Sequence, residues 1–190
     1  MLRKGRLTLT GGLAALLVGA MVALPLPSGV AAQVEPIGDV AAQQPGGGSL
    51  LPLAEARAII DGATGFTRAR GQAMSIAVLD VGGRLISQDR MDGASFNSVQ
   101  FAQGKAMAAL MLRIPTAETF DWAYNQPDRW FGIQIMFPGQ VYLGPGGVPL
   151  RFNGQLVGSA GVSGLPRGED DEALEAGLEA WARMRPGAGH

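Results

Sequence analysis

Cysteine is absent from the chain of 190 residues, and the only histidine is the terminal one, His190. An ordinary zinc site draws three or four ligands from Cys, His and carboxylates, so this composition argues against one. It also leaves Ser163, in Gly161-Val162-Ser163-Gly164, without the imidazole that a Ser-His-Asp machine needs. No disulfide can staple the fold, which therefore rests on its own apolar core. The nucleophile-elbow pattern G-x-S-x-G is missing. Gly144-Pro145-Gly146-Gly147 lacks the spacing and preceding strand of a dinucleotide fingerprint and reads as a turn. Lysine is nearly absent too: beyond the first 32 residues only Lys105 remains.

The start of the chain is of a different kind from the rest. Arg3, Lys4 and Arg6 precede an uncharged apolar run, Leu13 to Leu26, then Pro25, Pro27 and the small residues Val30-Ala31-Ala32. This is the order of a secretory signal, with cleavage expected after Ala32 and Ala42 as the alternative. The competing reading is an uncleaved anchor, because Leu7 to Leu26 approaches the roughly 20 residues needed to span a bilayer. No paired arginines precede the apolar run, which favours the general secretory route. Cleavage would remove three basic residues and no acidic ones, leaving 12 basic against 16 acidic. A mildly acidic product argues against nucleic acid as a partner. The expected location is periplasmic or secreted, with no membrane attachment once the signal is gone.

Residues 33–50, with Gln43-Gln44-Pro45-Gly46-Gly47-Gly48-Ser49, read as a flexible linker. Residues 51–184 read as one domain, of about the size that a single core supports, and 185–190 as a tail. From Pro52 to Arg70 the apolar positions Leu53, Ala56, Ile59, Ile60, Ala63 and Phe66 recur at helical spacing. Gly62 and Gly65 weaken that helix by roughly 1 kcal/mol each, so it must lean on tertiary packing. Met74 to Asp80 is apolar on both alternating faces, as a doubly covered strand is, and Arg84 to Arg90 returns as its hairpin partner. Asn97, with Gln100 three residues on, suggests a capping box that opens a helix to Arg113. That helix is rich in small residues (Gly104, Ala106, Ala108, Ala109) and permits close approach. Thr116 to Tyr124 reads as a short helix and Gln126 to Gln140 as irregular. Asn153-Gly154 is a strong hairpin signal between Gly147–Phe152 and Gln155–Val162. Glu169 to Met184 is a helix with Leu174, Leu178 and Trp181 inward. Hairpins between helices imply an α+β fold with an antiparallel sheet.

Three features bear on binding. Lys105, in an apolar helix, is either a snorkelling or ion-paired residue or a cation aimed at an anionic ligand. Arg90-Met91-Asp92-Gly93 ends a strand just before a helix N-terminus, where ligand groups gather, although Asp92 also suits a plain turn. Trp122, Tyr124, Trp130, Phe131 and Phe137 either wall a flat ligand or pack in a core or oligomer contact. The antiparallel arrangement predicts that Arg90, Met91, Asp92, Lys105, Gly146, Gly147 and Ser163 meet at one rim, where a small flat or anionic ligand can lodge.

Leu79-Asp80-Val81-Gly82-Gly83, Arg90-Met91-Asp92-Gly93-Ala94 and Gly104-Lys105-Ala106 resemble the haem-binding and haem-degrading family of GlcG and HbpS. The likeness continues through Pro115-Thr116, Gly146-Gly147-Val148-Pro149-Leu150, Gly158-Ser159-Ala160-Gly161-Val162-Ser163-Gly164 and a downstream Asp-rich helix start. It spans about Leu51 to Ala182, and the C-terminal domain of PduO is similar. The resemblance implies a profilin-like α/β/α sandwich around an antiparallel sheet, a symmetric homo-oligomer, and haem or a related tetrapyrrole as ligand. In some relatives a histidine on the first helix ligates the iron, and Pro52 to Arg70 contains none. The alternatives in this chain are Met91, Met107, Met111, Tyr124, Tyr142, Lys105 and Thr116. The leading expectation is an exported haem-binding protein, acting as an oligomeric binder or sensor component. The rivals are a periplasmic enzyme or accessory subunit that oxidises a small oxygenated acid or aldehyde, with Lys105 and Asp92 in its site, and a structural subunit of a larger exported complex.

Overall fold

The computed structural model describes residues 50–166 and 168–190; the expected signal peptide and nearly all of the linker lie outside them. Helix α1, Leu53–Ala69, follows Pro52 and buries Ala56, Ile59, Ile60 and Ala63 of the expected stripe, while Phe66 is partly buried and Leu53, in the first turn, is 57% exposed. Strands β1 (Ser75–Asp80), β2 (Leu85–Arg90), β3 (Gly147–Phe152), β4 (Gln155–Ser163) and β5 (Ala188–Gly189) form one antiparallel sheet in the order β2-β1-β4-β3-β5. Helix α2 (Ser98–Leu112) packs on one face; α1 and helix α5 (Glu169–Met184) pack on the other. The fold is thus α+β, with helices on both faces of the sheet. Among the described residues no helix is long and apolar enough to cross a membrane.

The strand period of two assigns the faces. Ile76 pairs with Val162 and Val78 with Ala160. With Val148 and Leu150 they join Ile59, Ile60, Leu174, Leu178 and Trp181 in the main core. On the opposite face stand Ala77, Gly161 and Gly147, which admit α2 unusually close. A Cβ on Gly161 would strike the Ala102 carbonyl and come within 2.6 Å of the Ala106 nitrogen. The small residues of α2 are therefore a sheet contact. Gly62, a liability for the isolated helix, has a matching use, since a Cβ there would sit 2.7 Å from the Ala176 carbonyl of α5.

Asn153 and Gly154 both adopt left-handed backbone (φ 49° and 79°), the two-residue turn this dipeptide favours. Nothing lies within 4 Å of a Cβ built on Gly154. Gly154→Ala is therefore expected to cost about 1–2 kcal/mol from backbone conformation alone, measurable by urea denaturation.

Four local expectations are corrected. Asn97 makes no side-chain cap bond, because its backbone is already helical (φ −83°, ψ −12°). The hydroxyl of Ser98 instead donates to the Ser95 carbonyl at 2.6 Å. The segment read as irregular contains helix α4, Pro127–Met136, with proline in its first turn, where a missing N–H costs nothing. Its apolar residues form no single stripe and none is buried, which hid it from periodicity. Thr116 to Tyr124 divides into a 3-10 turn, Thr116–Thr119, and the short helix α3, Trp122–Asn125. The segment read as a tail supplies β5, which pairs with Arg151 and Phe152.

Candidate functional site

The ligand residues expected from sequence fall into two groups near one end of the sheet. Ser75 on β1 is flanked by Arg90 on β2 and by Ser163 on β4. Beyond that end, Arg90, Met91 and Asp92 line a groove of about 610 Å³, within the usual range of small-molecule sites. The first group of walls comes from the end of α1 and the turn after it: Thr64, Arg68, Gly71 and Gln72. Gln88 and Asp89 of β2 complete the facing wall. Arg57 of α1 holds Asp89 at 2.7 Å, which ties the helix to this edge strand.

The electrostatics of the groove are mixed, with a cationic bias where it is unpaired. Among the described residues neither Arg68 nor Arg90 has a carboxylate within ion-pair distance. The Arg90 guanidinium makes, among the described residues, only a long contact, 3.5 Å, to the Ala94 carbonyl. Two polar atoms beside that wall, Thr64 Oγ1 and Gln72 Oε1, are buried with no hydrogen-bond partner among the described residues. Orphaned buried polar atoms are costly and therefore uncommon in folded proteins.

Lys105, Gly146 and Gly147 form the second group, inside the molecule. Lys105 is 4% exposed. Its Nζ donates to Asp170 Oδ2 at 2.6 Å and to the Val162 carbonyl at 2.9 Å. Asp170 accepts in addition the Leu165 N–H at 3.1 Å. Burial pushes the Asp170 carboxyl above its ordinary range, the Lys105 charge and hydrogen bonds oppose that shift, and neighbouring Asp171 adds to it. Gly146 (φ 104°) donates its N–H to Asp171 at 2.7 Å. A Cβ on Gly146 would come within 2.7 Å of both the Asp170 Cβ and the Val162 carbonyl. Gly147 donates its N–H to Thr116 Oγ1 at 2.8 Å. This node pins the end of β4, the start of β3 and the first turn of α5 onto α2. Ser163 is buried at the end of β4 beside Ser75, whose hydroxyl lies 2.8 Å from that of Ser98.

The aromatic residues divide. Trp122 is buried under the Arg129 guanidinium, 3.9 Å from its ring centroid. Trp130 packs against the small cluster of Ala108, Val141 and Leu143. Tyr124 is 84% and Phe131 56% exposed. None of the five lines the groove. Sequence reading missed Thr64, Arg68 and Gln72. A signal for the first two exists: Arg57, Asp61, Thr64 and Arg68 repeat at helical spacing on the polar side of α1, the side that meets β2.

Comparison with known proteins places this architecture. GlcG of Escherichia coli K12 is 29% identical over 114 residues, covering 60% of this chain and 81% of GlcG. A crystal structure of a double mutant of HbpS from Streptomyces reticuli superposes with a TM-score of 0.59 at 30% identity, covering 67% of this chain and 84% of that one. The crystal structure of a PduOC:haem complex superposes with a TM-score of 0.63, covering 68% of this chain and 94% of that one; at 23% identity it speaks for the fold alone. Residues 51–179 match the profile of the haem degrading protein HbpS-like family, and the chain belongs to that family.

Proposed function

We propose that this protein is an exported haem-binding protein, working as an oligomeric binder or sensor component, and that the α1–β2 groove receives the tetrapyrrole. One observation carries the reading. The groove holds two guanidinium groups, Arg68 and Arg90, that have no carboxylate partner among the described residues. Arginine is suited to paired hydrogen bonds with carboxylates, and the propionates of haem are of that chemistry. When bound, haem supplies an iron centre; the chain's part is to hold the carboxylate edge and limit water around the ring.

The iron ligands offered by the sequence are sorted by the fold. Thr116 is committed to Gly147, and Lys105 to Asp170 and Val162. Met107 and Met111 line cavities elsewhere. Tyr142 packs against Phe101 at a centroid distance of 4.8 Å, and Tyr124 stands outward. Met91 lines the groove, and its thioether is a known type of haem ligand. The lining is otherwise polar, so an apolar cover for the ring would come from a second copy. Phe96, 82% exposed in the loop after Asp92, and the exposed apolar residues of α4, Phe131, Ile135 and Met136, support an oligomer. The enzymic alternative loses support, because the Lys105 cation is not free to hold a substrate.

Haemin titration of the purified protein is expected to give a Soret shift that saturates below about 10 μM, and Arg68→Ala/Arg90→Ala should weaken binding by roughly tenfold or more. Absence of saturable binding in the unmodified protein would remove the proposal. Export has its own test. Mass spectrometry of the protein from its host is expected to show a chain that begins at Gln33; a retained basic start would refute cleavage at Ala32.

A further inference from the structure

A second concavity lies at the other end of the sheet, along the seam between α2 and the β1–β2 hairpin. Two cavities of about 250 and 330 Å³ meet there, and both are lined by Gly83 and Met107. Leu79 and Leu85 wall the first together with the amides of Gln103 and Gln140; Met111 and Arg113 belong to the second. Gly83 has φ 76° and no side chain, and a Cβ built on it would lie 3.1 Å from the Met107 methyl carbon. The Met107 side chain is thus a partition between the two spaces. Methionine is unbranched and readily repacks, so this partition can shift to join them.

Charge is confined to one end. Arg113 closes the last turn of α2 in left-handed backbone, with its N–H on the Ala109 carbonyl at 2.9 Å. Its own carbonyl accepts from the Arg151 guanidinium at 3.2 Å, which sets a second cation beside the first. Among the described residues neither arginine has a carboxylate within ion-pair distance. The trough thus has an apolar wall of Leu79, Leu85 and Met107, uncharged polar groups from Gln103 and Gln140, and a cation at its mouth.

We infer that this trough binds an amphipathic monocarboxylate: a straight apolar tail along Leu79, Leu85 and Met107, with the acid group at Arg113. The site lies at the opposite end of the strands from the haem groove and stands without the haem reading. The test is calorimetric titration of the purified protein with decanoate and with decanol, which share a tail and differ in charge. Decanoate is expected to bind saturably, roughly tenfold tighter than decanol. Arg113→Gln should erase that difference. Leu85→Glu should abolish decanoate binding, since it sets a carboxylate within the trough at a side chain already 50% exposed, where the fold tolerates it. Circular dichroism confirms that each variant is folded. Equal binding of the two probes, decanoate binding unchanged in Leu85→Glu, or no saturable decanoate binding would each overturn the assignment.

Discussion

Replacing Lys105 with methionine should lower the unfolding free energy by about 3–5 kcal/mol, the range found when one partner of a buried ion pair is removed. The loss comes less from the missing attraction than from what is left behind. Among the described residues Asp170 would remain buried with only the Leu165 N–H for company, and its carboxyl already sits above the ordinary range because burial outweighs the Lys105 charge. Without that charge the shift grows. A carboxyl raised in the folded state keeps its proton there after the unfolded chain has released its own. The stability it contributes is therefore complete below the ordinary value of 3.8 and is lost as pH rises through the raised one. Lys105→Met should accordingly fall further behind the parent as the solution is made less acidic. Removing both charges, as in Lys105→Met/Asp170→Leu, should recover most of the loss. Urea denaturation at several pH values measures all three chains. A single variant no weaker than the double one would show that the pair is not the buried anchor described.

The second large effect is expected at Trp181. It is fully buried between α1, α5 and the sheet, and its Nε1–H donates to Glu55 at 2.7 Å. Trp181→Ala should cost about 3–5 kcal/mol, from lost apolar burial and a cavity that the surrounding backbone cannot close. Glu55 would keep its bond from Arg185 at 2.9 Å, so its carboxylate would not be orphaned. Trp181→Phe separates the contributions: most of the volume remains, and the loss of a hydrogen bond to a charged acceptor should cost about 1.5–3 kcal/mol. Thermal or urea unfolding of the two variants should rank them in that order.

The sheet and the three long helices were legible because their patterns obey simple periods. Ile59, Ile60 and Ala63 repeat at helical spacing, MSIAVLD has no polar face, and Asn153-Gly154 needs a turn of one kind. Helix α4 was illegible for the converse reason: Trp130, Phe131, Ile133 and Ile135 surround it without choosing a side. The capping box failed because Asn97 has the right side chain on the wrong backbone. For the site, Arg90, Met91 and Asp92 were readable as a strand end, and the groove does use them. Lys105 was noticeable as a lone cation in an apolar helix, but its partner lies 65 residues away on α5. Nothing local to either residue announces that pairing. The same holds for Thr64 and Arg68, whose worth depends on β2 passing beside them.

The two margins of the sheet are treated differently. One is partly capped by the chain's own last residues, as β5 runs along the end of β3. On the other, β2 pairs only with β1 among the described residues, which leaves a row of main-chain groups available to a stray strand. Asp89 and Arg90 stand on that margin, and charges so placed discourage edge-to-edge stacking. Residues that line the groove thus double as a guard against polymerisation, and a chain stripped of both charges should aggregate more readily.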